Sequence, residues 1–318
     1  MRVMLFAAAV VLTAAGLAPA QDAQTYAEKL GFPKGAKVVI FHVDDAGMHH
    51  DANVGTIEAM EKGVATSASI MFPCPWVPDI VKYAKERPES DFGLHCTLTS
   101  EWGSYRWGPV AGKAAVPGLV DEEGCLWHEV EQVAAKATPD EVEKELRAQL
   151  DRSLTMGWRP THLDTHMGTV FATMPFMERY VKIGAEYGIP VMAPGGHGQY
   201  VAAEDEKIGP LLPGLGQMVW SLGLPVLDDV HTGYGVKDSA DKKAQIIAFL
   251  REMKPGLTQF IVHATRPSDN FKEVTGSGPM RLAELEALTS PEVKQVVEEE
   301  KVILTTWREL KQRRDAAK

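Results

Sequence analysis

Runs of apolar and β-branched residues alternate with more polar segments along most of the chain. The runs at 38–43, 64–72 and 91–98 predict strands, and the segments at 51–62 and 78–85 between them predict helices. Apolar residues recur at helical spacing in the first of these helices, and a glycine follows it. The order strand, helix, strand, helix, strand predicts a parallel sheet with right-handed crossovers.

The alternation resumes after residues 99–136, a long irregular stretch rich in glycine and tryptophan. Thr138 and Glu141 form a capping-box pattern with proline between them, which predicts a helix start. Further helices are predicted at 174–187, 239–253 and 307–318, and further strands at 159–168, 189–193, 224–230, 257–263 and 302–306. This pattern predicts one α/β domain over residues 21–318, a barrel-like (β/α) fold related to the TIM barrel that is irregular or incompletely closed. A doubly wound open sheet is the alternative.

The composition of 45% hydrophobic and 24% charged residues is typical of a globular protein. A net charge of −10 argues against nucleic acid and anionic membranes as partners. Residues 1–20 predict a secretory signal peptide, because Arg2 precedes an apolar stretch that ends in Ala18-Pro19-Ala20. The mature chain has no second segment long enough to span a membrane. We therefore expect an exported protein, periplasmic or secreted, and leave its oligomeric state open.

The chain has three cysteines, so at most one internal disulfide can form. Cys74 and Cys96 end two successive predicted strands and could lie close together, whereas Cys125 lies in the irregular stretch. The absence of a Cys-x-x-Cys spacing gives no support for a zinc ribbon or a redox motif. We interpret the three cysteines as structural residues.

Polar residues that can carry chemistry lie at the ends of the predicted strands, and the ends of parallel barrel strands meet on one face. Two adjacent carboxylates repel each other, which favours a bound cation with one carboxylate as its ligand and the other free to handle protons. An aspartate with two histidines is a suitable ligand set for zinc, iron or manganese. The strand-end residues are Asp44, Asp45, His95, His162, Asp164, His166 and His263.

The sequence does not decide whether the segment from His162 to His166 is a strand or a helix. On a strand, His162, Asp164 and His166 share a face, and on a helix the two histidines also align. One histidine could bind a metal while Asp164 orients it. His42 is interpreted as structural. The aromatic residues of the irregular stretch fit either stacking on sugar rings or a small core under a long loop, and they are Trp102, Tyr105, Trp107 and Trp127.

Five stretches, spaced in order through nearly the whole mature chain, carry a resemblance to a known family. The sequence resembles the YdjC-like carbohydrate deacetylases, a family that includes chitooligosaccharide deacetylase. The stretches are Asp44-Asp45-Ala46-Gly47, Gly63-Val64-Ala65-Thr66-Ser67, Gly93-Leu94-His95, Pro160-Thr161-His162-Leu163-Asp164-Thr165-His166 and Arg281-Leu282-Ala283-Glu284-Leu285-Glu286-Ala287-Leu288-Thr289-Ser290.

The resemblance implies a barrel related to the polysaccharide deacetylases, one divalent metal ion, and hydrolysis of an N-acetyl group on an amino sugar or oligosaccharide. Magnesium and zinc are the first expected ions, with manganese and cobalt as further options. The family's metal ligands would be Asp45, His95 and His166. Its catalytic base would be Asp44, and His263 matches the histidine expected to act as general acid.

Three departures from the family pattern bear on the substrate. Ala46 stands where the family usually has phenylalanine, Gly168 stands where a further histidine is common, and export is not typical of members that act on imported sugars. The ligand positions are intact, so the departures concern the sugar rather than the metal site.

The same residues support a mechanism in which a metal-activated water attacks the acetyl carbonyl, Asp44 accepts its proton and His263 protonates the leaving amine. Arg266, Trp102 and Trp107 are candidates for holding the substrate. Hydrolysis of another amide or ester is an alternative. An iron(II) oxygenase would use the same ligand types. A sugar-binding module without catalysis would use the tryptophan-rich loop, but it would not need Asp44.

Overall fold

The computed structural model describes residues 24–204, 208–235 and 238–317, and the predicted signal peptide at 1–20 lies outside these ranges. Seven parallel strands form one sheet. Its order is β4-β3-β2-β1-β6-β5, with β7 paired to the beginning of β1. The strands are β1 Lys37–Ala46, β2 Ser67–Ile70, β3 Phe92–Cys96, β4 Leu163–Thr165, β5 Asp229–His231, β6 Gly256–Val262 and β7 Ile303–Leu304.

Helices connect successive strands, and the described residues contain no helix that is both long and apolar enough to cross a membrane. The helices are α1 Tyr26–Lys29, α2 His50–Lys62, α3 Val77–Glu86, α4 Val130–Lys136, α5 Pro139–Thr155, α6 Met174–Tyr187, α7 Gln199–Glu204, α8 Leu212–Ser221, α9 Ser239–Glu252, α10 Gly278–Thr289, α11 Pro291–Glu299 and α12 Trp307–Ala316.

Backbone hydrogen bonds continue beyond the named strands and join the two ends of the strand order. Leu163 of β4 bridges to Val191, and Pro194 bridges to Leu227. The next residue, Asp228, donates its amide to the carbonyl of Leu257 in β6. The sheet therefore curls into an irregular barrel, which confirms the predicted fold class. A doubly wound open sheet would keep two separate edges.

Alternate residues of β1 pack into two different apolar clusters, as expected for a strand that is covered on both faces. Val39 and Phe41 belong to the cluster beneath the helices, whereas Val38 and Ile40 belong to the cluster that contains Trp307 of α12. The next residue on the second face is His42, which is fully buried. This face changes from apolar to polar toward the C-terminal end of β1, which is where the candidate site lies.

Most predicted elements are confirmed within a few residues, including the capping box at Thr138, which begins α5. Several predicted strands are shorter than expected, including 159–168, of which only β4 is formed. The segment 189–193 is reduced to the bridge at Val191, and 224–230 is replaced by β5 together with the bridge at Leu227. Both segments contain a proline, which has no amide hydrogen for a ladder. Helices α1, α4, α10 and α11 have no counterpart among the predicted elements.

The possible disulfide between Cys74 and Cys96 is not formed. All three cysteines, each within the described part of the chain, are free. Cys74 and Cys96 are buried in the larger apolar cluster, where cysteine packs as a small hydrophobic residue.

Candidate metal and catalytic site

Two adjacent carboxylates at the end of β1 approach the same histidine. Neighbouring side chains of a regular strand point to opposite faces, so an irregularity is required. The pairing of β1 with β2 shifts register between Val43 and Ala46, and Asp45 has a φ angle of 67°, in the left-handed region. As a result, Nε2 of His95 lies 3.3 Å from Oδ1 of Asp45 and 3.8 Å from Oδ2 of Asp44.

Three buried side chains bring one ligand atom each to a common point. Oδ1 of Asp45 lies 3.2 Å from Nδ1 of His166, and this nitrogen lies 3.2 Å from Nε2 of His95. Atoms at these separations can all bind one ion at metal–ligand distances of about 2.0–2.2 Å. Oδ1 of Asp45 is buried and, among the described residues, has no hydrogen-bond partner beyond these two imidazole nitrogens. These three residues could hold a metal ion.

The outer nitrogen of each histidine in this group contacts a further carboxylate. Nδ1 of His95 donates to Oδ1 of Asp164 at 2.6 Å, and Nε2 of His166 lies 3.0 Å from Oε2 of Glu101. A carboxylate on the outer nitrogen fixes the orientation and tautomer of a metal-binding histidine. Asp164 was expected to orient a histidine. Glu101 was not identified from the sequence, because it lies in the irregular stretch after β3.

Asp164 also accepts a hydrogen bond from Nε2 of His42, at 2.8 Å. The same nitrogen lies 3.2 Å from Oδ1 of Asp44. His42 is therefore not only a packing residue, because it links the carboxylate that orients His95 with the first aspartate of the pair. Its position two residues before Asp44 on the same face of β1 was the available signal in the sequence.

Arg281 of α10 is the cationic partner of Asp45. Its Nη2 donates to Oδ2 of Asp45 at 2.7 Å, and both side chains are buried. Burial favours protonation of Asp45, but the charge of Arg281 and hydrogen bonds from His166 and His95 outweigh it and hold the pKa of Asp45 well below its usual range. The stretch that begins with Arg281 was recognised in the sequence, but no role could be assigned to this residue.

Asp44 lies in a different environment from its neighbour. Burial is the largest effect and raises the pKa of Asp44 to about 6, although the charge of His95 opposes it. The side chain is 8% exposed, and its Oδ1 lacks a hydrogen-bond partner in the part of the chain that the structure describes. Two adjacent carboxylates with separated pKa values can divide their roles, one fixed as an anion and the other exchanging a proton.

His263 follows β6 and is held by two neighbours. Its amide donates to Oε2 of Glu284 at 2.7 Å, and its Nδ1 lies 3.7 Å from the same oxygen. The ring of Tyr234 stacks on the imidazole, with centroids 5.7 Å apart and an angle of 23° between the planes. Burial is the main effect on the pKa of Asp44, and the charge of His263 is a smaller effect that lowers it.

His162 does not reach the group of His95, His166 and Asp45. Its imidazole stacks on Trp307 at 5.3 Å, and its Nδ1 lies 3.0 Å from the hydroxyl of Thr161. Burial, the largest effect, holds the pKa of His162 well below its usual range, so the ring is neutral. Of the two histidines, His166 approaches both His95 and Asp45, whereas His162 lies in a second group of possible ligands with His42 and Asp164. The segment of His166 leaves the strand after Thr165 and turns.

The three candidates for substrate contact differ in position. Arg266 is 52% exposed and pairs with Glu58 of α2 at 2.6 Å, so the structure does not bring it to the ligand group. Trp107 is buried, and its indole donates to the carbonyl of Thr99, as expected for a small core. Trp102 is partly buried and lies 5.7 Å from the guanidinium of Arg281. Of the three, Trp102 alone contacts a residue of the site.

Two carbohydrate deacetylases and one crystal structure are similar to this chain over most of its length. The carbohydrate deacetylase of Thermus thermophilus is 29% identical over 288 residues, covering 90% of this chain and 97% of the relative. The carbohydrate deacetylase of Brevibacillus brevis is 29% identical over 272 residues, covering 86% of this chain and 99% of that relative. A crystal structure from Enterococcus faecalis, of a protein suggested to cleave cellobiose phosphate, superposes with a TM-score of 0.73 at 25% identity, covering 86% of this chain and 99% of that chain.

A sequence profile described as YdjC-like protein matches residues 38–299. This range includes all five stretches on which the resemblance was based, and it contains every strand except β7 and the first residue of β1. The resemblance inferred from the sequence is therefore confirmed, and the chain belongs to the YdjC-like protein family.

Proposed function

We propose that the protein is a metal-dependent deacetylase that removes N-acetyl groups from an amino sugar or oligosaccharide. Its relatives named as carbohydrate deacetylases support the reaction and the substrate class. The observation that carries the proposal is the convergence of Asp45, His95 and His166 within 3.3 Å of one another. Asp44 lies beside this group as an additional carboxylate, which a purely structural metal site does not require.

The donor set helps to choose the ion. Two imidazole nitrogens suit zinc, whereas magnesium prefers oxygen ligands. Zinc is therefore the first ion to test, followed by cobalt, manganese and magnesium. Asp45, His95 and His166 would hold the ion, and Asp164 and Glu101 would keep the two imidazoles turned toward it. When bound, a divalent ion polarises the acetyl carbonyl and lowers the pKa of a water molecule.

The residues of the chain supply the proton transfers. Asp44 accepts the proton of the attacking water, because it is the carboxylate of the pair that Arg281 does not neutralise. Attack forms a carbon–oxygen bond, and the carbon–nitrogen bond then breaks. His263 gives the leaving amine its proton. The products are acetate and the free amino sugar.

The proposed location is outside the cytoplasm, periplasmic or secreted, and it rests on the signal-peptide pattern of residues 1–20. An exported deacetylase would meet N-acetylated glycans of that compartment rather than imported sugars. The ring of Trp102, which lies beside Arg281, is a candidate contact for such a sugar.

Acetate release tests the proposal. Protein without residues 1–20 is stripped with EDTA, given zinc, cobalt, manganese or magnesium, and incubated with N-acetylglucosamine oligosaccharides of several lengths. We expect metal-restored acetate release that is lost in Asp44→Asn, while elemental analysis still finds one ion per chain. Asp140→Asn is the matched control, since Asp140 is an exposed carboxylate paired with Arg179.

Two results would overturn parts of the proposal. Stoichiometric metal binding without acetate release from any sugar would move the search to other amides and esters. Turnover that requires iron(II) and oxygen and survives Asp44→Asn would identify an oxygenase instead, because that chemistry does not need the second carboxylate.

A further inference from the structure

A buried lysine lies behind His263, in a part of the barrel that the proposed mechanism does not use. Lys242 of α9 is fully buried and forms an ion pair with Glu284 of α10, which is also fully buried, at 3.0 Å between Nζ and Oε1. The other oxygen of Glu284 accepts the amide hydrogen of His263. The carboxylate of Glu284 therefore links the lysine to the histidine.

The same ammonium group holds the other neighbour of His263. Nζ of Lys242 donates to the carbonyl of Gly233 at 2.5 Å. The next residue, Tyr234, stacks on the imidazole of His263 and is 56% exposed. Gly233 has a φ angle of 61°, so this segment has a backbone conformation that few residues other than glycine adopt. Lys242 thus holds the backbone of the residue before Tyr234, and the tyrosine side chain is open to solvent over about half of its surface.

Lys242 accordingly connects the two groups that contact the His263 imidazole, the carboxylate of Glu284 and the ring of Tyr234. A buried ion pair is weak evidence for a stabilising role, because desolvation of both charges opposes their attraction. A lysine at this position is better explained by a role in holding its neighbours in place, since an ammonium group can donate hydrogen bonds in several directions at once.

We propose that Lys242 is a positioning residue, which holds Glu284 and the Gly233–Tyr234 segment on His263 so that the imidazole can deliver its proton to the leaving amine. This inference rests on the proposed function, in which His263 protonates that amine. It assigns Lys242 no contact with substrate.

The leaving group provides a readout that separates positioning from general damage. The amine of an N-acetyl sugar must take up a proton as the carbon–nitrogen bond breaks. The nitrophenolate of p-nitrophenyl acetate leaves as an anion and needs no proton. A misplaced His263 therefore slows hydrolysis of the amide and leaves hydrolysis of the ester nearly unchanged, whereas loss of the metal site or of the fold slows both.

The main variant is Lys242→Met with Glu284→Gln. It removes both charges together, and the glutamine oxygen still accepts the amide hydrogen of His263. Lys242→Met alone leaves the carboxylate of Glu284 buried without a partner, which is strongly destabilising. His263→Gln removes the imidazole and shows how much activity is lost when His263 cannot act as the acid at all. The matched control is Lys243→Met, because Lys243 is the next residue of α9 and pairs with Glu292 on the surface at 2.8 Å.

We measure kcat and KM of the metal-loaded proteins for an N-acetylglucosamine oligosaccharide and for p-nitrophenyl acetate. His263→Gln is expected to lower kcat for the sugar by roughly 10²–10⁴-fold, the usual contribution of general acid catalysis. The double variant should lower it at least about tenfold, with KM for the sugar and turnover of the ester within about twofold of wild type. Lys243→Met should leave both reactions unchanged.

Equal losses on both substrates, or no loss on either, in the folded double variant would overturn the positioning role of Lys242. A different failure belongs to the proposed function itself. If the wild-type protein hydrolyses the ester but releases no acetate from any N-acetyl sugar, the assignment as a sugar deacetylase fails, and the inference fails with it.

Discussion

Arg281 binds one carboxylate oxygen of Asp45 and leaves the other facing His95 and His166. The guanidinium lies 2.7 Å from Oδ2, whereas Oδ1 is 3.3 Å from His95 and 3.2 Å from His166. With Oδ2 occupied, Asp45 offers a single oxygen to an ion. The arginine also compensates the charge of a fully buried aspartate, so the site can be retained in the metal-free protein.

Replacing Arg281 should make the fold depend on metal. Arg281→Met leaves Asp45 buried without its partner, and breaking such a pair costs about 3–5 kcal/mol. We expect this loss in the free energy of unfolding of the EDTA-treated protein, measured with urea, and a much smaller loss after zinc is added, because the ion replaces the missing positive charge.

Arg266→Met is the matched control for that measurement. Arg266 also pairs with a carboxylate at short distance, but it is about half exposed. Exposed pairs contribute about 0–1 kcal/mol, so the control should change stability little, with or without zinc. An equal loss for the two variants would show that the burial of Asp45 is not what makes Arg281 important.

His166 and His162 should respond differently to the same substitution. His166→Gln removes a nitrogen that lies 3.2 Å from both His95 and Asp45, so the protein should lose stoichiometric zinc binding. His162→Gln removes a ring stacked on Trp307 and should lower thermal stability while one zinc ion is still bound. Elemental analysis after gel filtration measures both. Loss of zinc in His162→Gln alone would reverse the assignment.

The carboxylates on the outer histidine nitrogens should affect metal affinity without being required for metal binding. Asp164→Asn and Glu101→Gln are each expected to weaken zinc binding by about 10–100-fold, the usual effect of losing such a partner. Competition with a chromogenic chelator measures the affinity. Glu123→Gln, an exposed position in the same loop as Glu101, should leave it unchanged. An unchanged affinity in both test variants would show that the two imidazoles do not need these partners.

The strand ends could be predicted from the sequence because their signal is local. A buried parallel strand is a short apolar run, and the polar residue that follows it marks the carboxyl edge. This reasoning placed Asp44, Asp45, His95 and His263 at strand ends, which the structure confirms for β1, β3 and β6. The same reasoning left two candidates, His162 and His166, for the metal-binding histidine of the fourth predicted strand.

The remaining site residues had no local signal. Glu101 lies in a loop without periodicity, and Arg281 reaches Asp45 across a separation of 236 residues. The choice between His166 and His162 depends on where β4 ends, which a strand of three residues does not reveal. The register shift in β1 was equally invisible, although it is what directs both aspartates to His95. Contacts that depend on tertiary packing require the fold itself.

The metal-free protein should lose stability as the pH rises from neutral to alkaline. Burial would lower the pKa of His166, but the charge of Glu101 and hydrogen bonds with Asp45 and Glu101 outweigh it and raise the pKa to about 9. The pKa of His95 is also raised, by Asp164 and Asp44 against the effect of burial. Each imidazolium is thus more stable in the folded chain than in the unfolded chain, where histidine has a pKa of about 6.5.

Stabilisation from a raised histidine pKa is complete below about pH 6.5 and is lost as the pH rises through the folded value. For His166 this loss extends to about pH 9. The residue contributes on the order of 3 kcal/mol to the free energy of unfolding below pH 6.5. Urea unfolding in EDTA at a series of pH values should show the decline, and Glu101→Gln should make it shallower. A free energy of unfolding that stays constant or increases over this range would contradict the assigned contacts of His166.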